Sequence, residues 1–359
     1  MKSREISPKF DLVTTWGEEC GIYEYARALL TKTFPAEERG DVFARKLGDG
    51  GIEAYDAGFR IKRCWTREQN GQEELKELMR GSDSDSLWFQ YHPSFFEMAA
   101  LKELSDVLTQ TNYTRRVLTV HNPAGLENSA FANSFTDVVV HNERALAQLG
   151  DLDSVKTHVI PHFVYSREEL ALKEPGDTFT VATAGFAAAN KQVPLLIRAF
   201  SMAYALNPSM RLQVLTSPLP THSAHFERSR IVSAIKRSSA RSAIQSNLAA
   251  KSMSELLEAI SGAHIFCLPY ADTSESASGA ARMSLSAGVP ILRSRSEIFV
   301  DLPGGDFVLE ETSSTGIAEA LLMLSKMPYL LQEKRSQIDK LYCKFRAPKI
   351  AARYKELLI

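Results

Sequence analysis

The feature that most limits the fold of this chain is a repeated exchange of short, unbroken apolar runs for helical patterns. Residues 11–16, 87–91, 116–121, 138–141 and 156–161 read as strands, and helical stretches separate most of them. A parallel strand is buried on both faces, so it reads as a continuous apolar run and not as an alternating one. Strands alternating with helices imply a doubly wound α/β sheet. A polar stretch at 165–177, closing on Pro175-Gly176, breaks the pattern. A second series follows, with strands at 179–184, 212–215, 264–269 and 289–292, helices at 194–206, 228–236, 253–261 and 278–287, and helices dominating after Thr315. At roughly 150 residues per domain, a chain of this length holds about two domains. The expectation is α/β, two Rossmann-like domains facing a cleft: 1–165, 166–340, and a C-terminal helix at 341–359 that packs back on the first domain.

Open α/β sheets bind ligands at the carboxyl ends of their strands. The segments to inspect are therefore 17–21, 90–93, 121–123, 185–191, 217–222 and 270–279. Composition removes several function classes. The 42 Lys+Arg against 43 Asp+Glu give a net charge of -1, without the basic excess of a dedicated nucleic-acid binder. No run is long and apolar enough for a membrane span. Residues 1–8 are charged and lack the apolar block of a signal peptide. Cys20, Cys64, Cys267 and Cys343 are scattered, which excludes a disulfide scaffold and a Cys-rich zinc site and fits a reducing, cytoplasmic setting.

Gly185 ends the first strand of the second series, and Lys191 follows six residues later. A glycine turn lets backbone approach a ligand, and a lysine at the mouth of the next helix can neutralise a phosphate. The alternative is an ordinary strand-to-helix turn. Residues 270–288 read YADTSESASGAARMSLSAG. Here Ser278, Gly279 and Ala280 open a helix without bulky side chains, leaving N–H groups for an anion. Glu275, just before them, either caps that helix or accepts hydrogen bonds from a hydroxyl-rich ligand. Gly21 stands at the first helix start of the chain, as a backbone donor site or a tight turn. His121 ends a strand, where a functional role competes with a structural one. Asp83 and Asp85 precede a strand and so sit at the wrong end for a metal pair. His222 and His225 fall in a Pro- and Ser-rich loop with no third metal ligand. Arg228, Arg230, Lys236, Arg237 and Arg241 form a solvated helix face or a surface that touches an anionic membrane or charged acceptor.

Taken together, these segments resemble the GT-B retaining glycosyltransferases of family 4, over nearly the whole chain. Cys20-Gly21-Ile22-Tyr23-Glu24-Tyr25-Ala26-Arg27-Ala28-Leu29 is similar to that family's glycine-loop helix. Thr119-Val120-His121-Asn122 resembles its strand ending in histidine, and Val159-Ile160-Pro161-His162 its segment before the interdomain linker. Gly185 to Lys191 is similar to the diphosphate site, and Leu268-Pro269-Tyr270 with Glu275 to Pro290 to the family signature. Three positions depart from the pattern. Met283 stands where a second glutamate holds the ribose, Phe186 where an arginine accompanies the lysine, and Phe163 where a glycine is common. Arg282 and Arg293 are candidates for the missing charge.

The resemblance implies a metal-independent transferase with no cofactor. Its partners would be a nucleotide-diphosphate sugar donor and a glycan or lipid-linked acceptor, with peripheral contact to the inner membrane face and no nucleic acid. Catalysis would fall to His121, Glu275 and Lys191, and nucleotide-sugar binding to Gly21, Gly185, Ser278, Gly279 and Ala280. The first domain would be the acceptor side. The departures keep a second reading open, a GT-B pseudoenzyme that binds a nucleotide sugar or a partner without transfer.

Overall fold

The computed structural model describes residues 9–17, 20–48, 53–56, 58–127, 129–152, 155–168, 170–217, 222–249 and 251–359. The residues divide into two units: the chain up to Pro161 with Ser274–Ala277 and Ala347–Ile359, and His162–Thr273 with Ser278–Arg346. The division falls just before the polar stretch that begins at Tyr165. Tyr165 itself is held in the second unit, where its N–H donates to Ser286 Oγ at 2.8 Å.

The first unit contains β1 (Phe10–Thr14), β2 (Arg39–Arg45), β3 (Glu53–Asp56), β4 (Phe59–Trp65), β5 (Ser86–Tyr91), β6 (Arg115–Val120), β7 (Asp137–Val140) and β8 (Lys156–Val159). They form one sheet in the order β3-β4-β2-β1-β5-β6-β7-β8. Every pairing is parallel except that of β3 with β4. The second unit contains β9 (Thr180–Phe186), β10 (Arg211–Ser217), β11 (Ile244–Asn247), β12 (Ile265–Leu268), β13 (Ile291–Arg293) and β14 (Asp306–Val308). Their order is β11-β10-β9-β12-β13-β14, parallel throughout. In both sheets the order reverses beside the unit's first strand, between β1 and β5 and between β9 and β12. Such reversal points are where doubly wound sheets open a crevice at their carboxyl edge.

Most strands read from the sequence are largely buried, the exposed edge strand β8 excepted. No strand was expected between residues 32 and 87, yet β2, β3 and β4 lie there. Charged residues interrupt them: Asp41 of β2 pairs with Arg60 and Lys62 of β4, each at 2.7 Å. Outer strands have one solvated face and alternate, so they lack an unbroken apolar run. The missed edge strands β11 and β14 follow the same rule. One local correction concerns His222 and His225. The helix His222–Arg237 contains both, so the expected loop is helical there. Residues 218–221 before it lie outside the described residues, as do the charged segment 1–8 and Glu18 and Glu19 of the first glycine turn.

The last helix, Ala347–Leu358, belongs to the first unit. Its apolar face buries Ile350, Ala351, Tyr354 and Leu358. The Tyr354 ring lies 4.7 Å from that of Trp88 on β5. Its hydroxyl meets the Tyr25 hydroxyl at 2.9 Å. Burial pushes the Tyr354 phenol up to about 12, so this is a bond between neutral groups. Ser86 Oγ donates to the Leu358 carbonyl at 2.6 Å. All four cysteines are free. Among the described residues no helix is long and apolar enough to cross a membrane.

A large ring deleted from a filled core costs its transfer free energy plus a cavity, about 3–5 kcal/mol. Tyr354→Ala should lower the unfolding free energy, read from denaturant titration, by that amount. A loss below about 1 kcal/mol would show that the C-terminal helix is dispensable.

Candidate functional site

In the second unit, the expected diphosphate residues come together at the reversal point of the sheet. Gly185 is the penultimate residue of β9 and has φ +116, a conformation that side chains rarely adopt. A Cβ placed there would lie 2.9 Å from Lys191 Nζ and 3.7 Å from Ala280 Cβ. The bare glycine backbone, the lysine ammonium and the start of the helix Gly279–Ser286 therefore converge on one spot. The Lys191 ammonium also lies 5.3 Å from the centre of the Tyr270 ring, in range of a cation–π attraction. Tyr270 follows β12, across the reversal point from Gly185.

Backbone features fix the lysine in place. Ala189–Lys191 is a single 3-10 turn. Gln192 after it has φ 51, the sole positive φ of a non-glycine among the described residues. A left-handed residue of that kind costs roughly 1–2 kcal/mol. Here it turns the chain abruptly into the helix Val193–Leu206. The Ala271 N–H donates to the Asn190 carbonyl at 2.8 Å, joining the lysine turn to the segment after β12.

The helix Gly279–Ser286 starts as the sequence suggests, with Ser278 as its N-cap. Ser278 Oγ accepts from the Ala281 N–H at 3.2 Å. Helix geometry leaves the other first-turn N–H groups without partners inside the helix. The small side chains add no steric cover, and a Cβ on Gly279 would meet nothing within 4 Å. Met283, one turn on, is buried, so its position does not offer a side chain to a ligand at the surface. The two arginines considered for the missing charge are both committed elsewhere. Arg282 is fully buried and pairs with Asp301. Arg293 Nε donates to Asp306 at 2.7 Å.

In the first unit, three neighbouring strands each run directly into a histidine: β5 into His92, β6 into His121 and β7 into His141. His141 Nδ1 lies 3.0 Å from the Ile160 carbonyl, which can only accept, so the ring proton sits on Nδ1. His141 Nε2 is then an acceptor, and it lies 3.2 Å from His121 Nδ1. With both rings neutral, His121 carries its proton on Nδ1, and its Nε2 has a lone pair of the kind that can accept from a hydroxyl. The Tyr25 ring stands edge-on to His121 at 5.0 Å and orients it.

Glu275 belongs with this group. Residues Ser274–Ala277 pack with the first unit although the chain on either side belongs to the second. Ser276 donates to the His121 carbonyl through both its N–H and its Oγ. Asn142 Nδ2 donates to the Ser276 carbonyl, and Asn122 Nδ2 to Ser274 Oγ at 3.0 Å. Glu275 Oε1 lies 3.1 Å from His92 Nε2. The helix that follows is capped by Ser278.

Gly21 is the first residue of the helix Gly21–Thr33 and opens onto free space. Beside His92, a cavity of about 360 Å³ lies at the carboxyl ends of β5 and β6, with Tyr91, Phe96, Met98 and Gly125 in its wall and Arg67 and Glu97 among its lining. Among the described residues no group of three His, Cys, Asp or Glu side chains could hold a metal ion. The reading from sequence gave no role to His141 or Asn142, and it placed His92 and Tyr270 only within segments to inspect, Tyr270 also within the signature. A signal was present for the histidines, an apolar run ending in His at three consecutive buried strands.

No family model matches this chain, and no curated protein matches it in sequence. Its structure, however, is similar to solved ones over nearly its full length. An α,α-trehalose-phosphate synthase (UDP-forming) from Burkholderia xenovorans, in complex with glucose-6-phosphate, aligns with TM-score 0.75 at 12% identity, covering 97% of this chain and 100% of that one. HepE from Anabaena, in complex with UDP and glucose, aligns with TM-score 0.74 at 13% identity, covering 98% and 99%. Sucrose-phosphate synthase from Thermosynechococcus elongatus aligns with TM-score 0.71 at 17% identity, covering 98% of both chains. At such identities the likeness is one of architecture, and the architecture is GT-B: two Rossmann-like domains, each built on a parallel sheet.

Proposed function

We propose that this chain is a retaining, metal-independent glycosyltransferase of the family 4 type, moving a hexosyl group from a nucleotide-diphosphate donor to a hydroxyl acceptor. The observation that carries this reading is the convergence of Gly185, Lys191 and the Ser278–Ala280 helix start at the reversal point of the second sheet. A lysine, a close backbone and a bare helix N-terminus together suit a diphosphate. The GT-B architecture shared with a UDP-forming synthase and with HepE in complex with UDP and glucose supports it.

The chemical problem is charge. As the glycosidic bond stretches, negative charge grows on the diphosphate and positive charge on the sugar ring. Lys191 and the N–H groups near Ser278, Gly279 and Ala280 stabilise the former as fixed donors. Glu275 accepts from donor-sugar hydroxyls, and His121 Nε2 accepts from another. No side chain is assigned as a covalent nucleophile. The departing phosphate oxygen takes the acceptor proton on the same face, and the configuration is retained. The acceptor is a hydroxyl of a glycan or lipid-linked acceptor, entering on the first unit's carboxyl edge beside the cavity at Tyr91.

Titration with UDP in excess chelator should show binding to the wild type, and a strict metal requirement for both binding and turnover would refute metal independence. Lys191→Ala should weaken that binding and cut turnover by roughly 10²-fold, the scale of removing one preorganised donor. Gly185→Ala should weaken UDP binding similarly, since its Cβ lands on the ammonium. Near-wild-type behaviour of both would leave the lysine as solvated surface.

Glu275→Gln keeps size and one acceptor oxygen but removes the charge. This variant should keep its melting temperature and UDP affinity and lose most transfer from the nucleotide sugar identified by a donor panel. Unchanged transfer would remove Glu275 from the mechanism. UDP binding with no hydrolysis or transfer from any nucleotide sugar would favour the pseudoenzyme.

A further inference from the structure

We infer that His92 is the positioning residue for Glu275: a neutral imidazole, its tautomer set by the backbone of Ser94, donates from Nε2 and holds the carboxylate in its sugar-binding rotamer. This rests on the reading of Glu275 as a sugar ligand. No local pattern announces the pair, because His92 and Glu275 are far apart in the chain.

The tautomer follows from donors and acceptors. The Ser94 N–H donates to His92 Nδ1 at 3.1 Å, so Nδ1 carries the lone pair. Ser94 Oγ lies 2.7 Å from the same nitrogen. The ring proton is therefore on Nε2, and Nε2 faces Glu275 Oε1 at 3.1 Å. An imidazole with both nitrogens engaged has one orientation. The Phe95 ring, 5.8 Å away, packs against it.

Glu275 needs such a partner. Its neighbours Ser274 and Ser276 are tied to Asn122, Asn142 and the His121 carbonyl, which fixes the backbone at 275. Those bonds act on the backbone, whereas His92 acts on the carboxylate at the end of a half-exposed side chain with three torsions. Ordering a side chain of that kind costs up to about 2 kcal/mol of rotamer freedom. A donor that fixes the carboxylate beforehand removes that cost from the step in which sugar binds. An ionised carboxylate has about four lone-pair sites, and His92 engages one of them. An ordinary exposed polar pair contributes little. What sets this one apart is that the histidine is locked from its other side by a backbone group at the end of β5.

Two measurements test the assignment. The first uses the apo protein and no donor. In nitrogen-15 spectra of the histidine rings, His92 should be the neutral Nε2–H tautomer, and Glu275→Ala should shift its Nε2 and Nε2–H signals. Ring signals indifferent to residue 275 would overturn the proposal whatever the kinetics show.

The second uses UDP-glucose as donor probe and UDP as binding probe. His92→Ala should lower kcat/KM by about 10- to 100-fold, the range for losing a hydrogen bond to a charged group, with UDP affinity unchanged. His92→Gln, whose amide nitrogen takes the place of Nε2, should restore most of the loss. The double variant His92→Ala/Glu275→Gln should be no slower than Glu275→Gln alone, because the two act as one unit. Multiplying losses would overturn the proposal by showing that His92 acts on its own. A coupled His92 spectrum alongside full transfer in Glu275→Gln would instead refute the reading of Glu275, and the positioning role with it.

Discussion

A parallel strand covered on both faces has only its ends left for chemistry. The central strands β5, β6 and β7 are almost wholly buried, and so are β9 and β12 of the second sheet. Each assigned group follows from this. His92, His121 and His141 stand one residue past a strand end. Lys191 and Tyr270 follow the two strands that flank the second reversal point. The apolar interior does not choose the chemistry, but it decides the edge at which the chemistry stands. The acidic residues Asp83 and Asp85 lie at the opposite edge, where Asp85 accepts from the Lys9 N–H.

Backbone groups then decide what the side chains can do. The Ile160 carbonyl places a proton on His141, which makes His121 Nε2 an acceptor. The Ser94 N–H takes a lone pair on His92, which makes its Nε2 a donor. Two histidines on adjacent strands thus face their surroundings with opposite hydrogen-bonding character. A peptide group cannot change its polarity, so these assignments persist as long as the fold does. Gly185 works by a different route. Its missing side chain is the space into which the Lys191 ammonium fits.

Much of this could be read from the sequence. The alternation of apolar runs with helical patterns gave both sheets, because buried strands carry an unambiguous signal. The turn at Gly185, the small-residue helix start at Ser278 and the strand-terminal His121 were visible for the same reason. Strands β2 to β4 were not, because Arg60, Lys62 and Asp41 give them the look of a charged loop. The fates of Arg282 and Arg293 were also hidden. Their acidic partners, Asp301 and Asp306, are 13 or more positions away, and nothing in local spacing announces a pair formed by packing. His92 was hidden in the same way, since its significance lies in a bond to a residue nearly two hundred positions downstream.

The run Ser274-Glu275-Ser276-Ala277 shows why composition misleads at such a place. Small polar residues between a strand and a helix suggest a flexible connection. Here the serines replace the regular backbone pairing that a loop lacks. Ser276 makes two bonds to one carbonyl at the end of β6, and Ser274 accepts from the asparagine that follows His121. A residue without a hydroxyl on Cβ could not put both its backbone N–H and so short a side-chain donor on the His121 carbonyl. An alanine would keep only the backbone bond. The serine therefore supports the glutamate beside it: it holds the peptide still while His92 engages the carboxylate. A charged side chain on an apparent loop becomes a preorganised ligand only when the uncharged residues next to it have already spent their hydrogen bonds on the backbone.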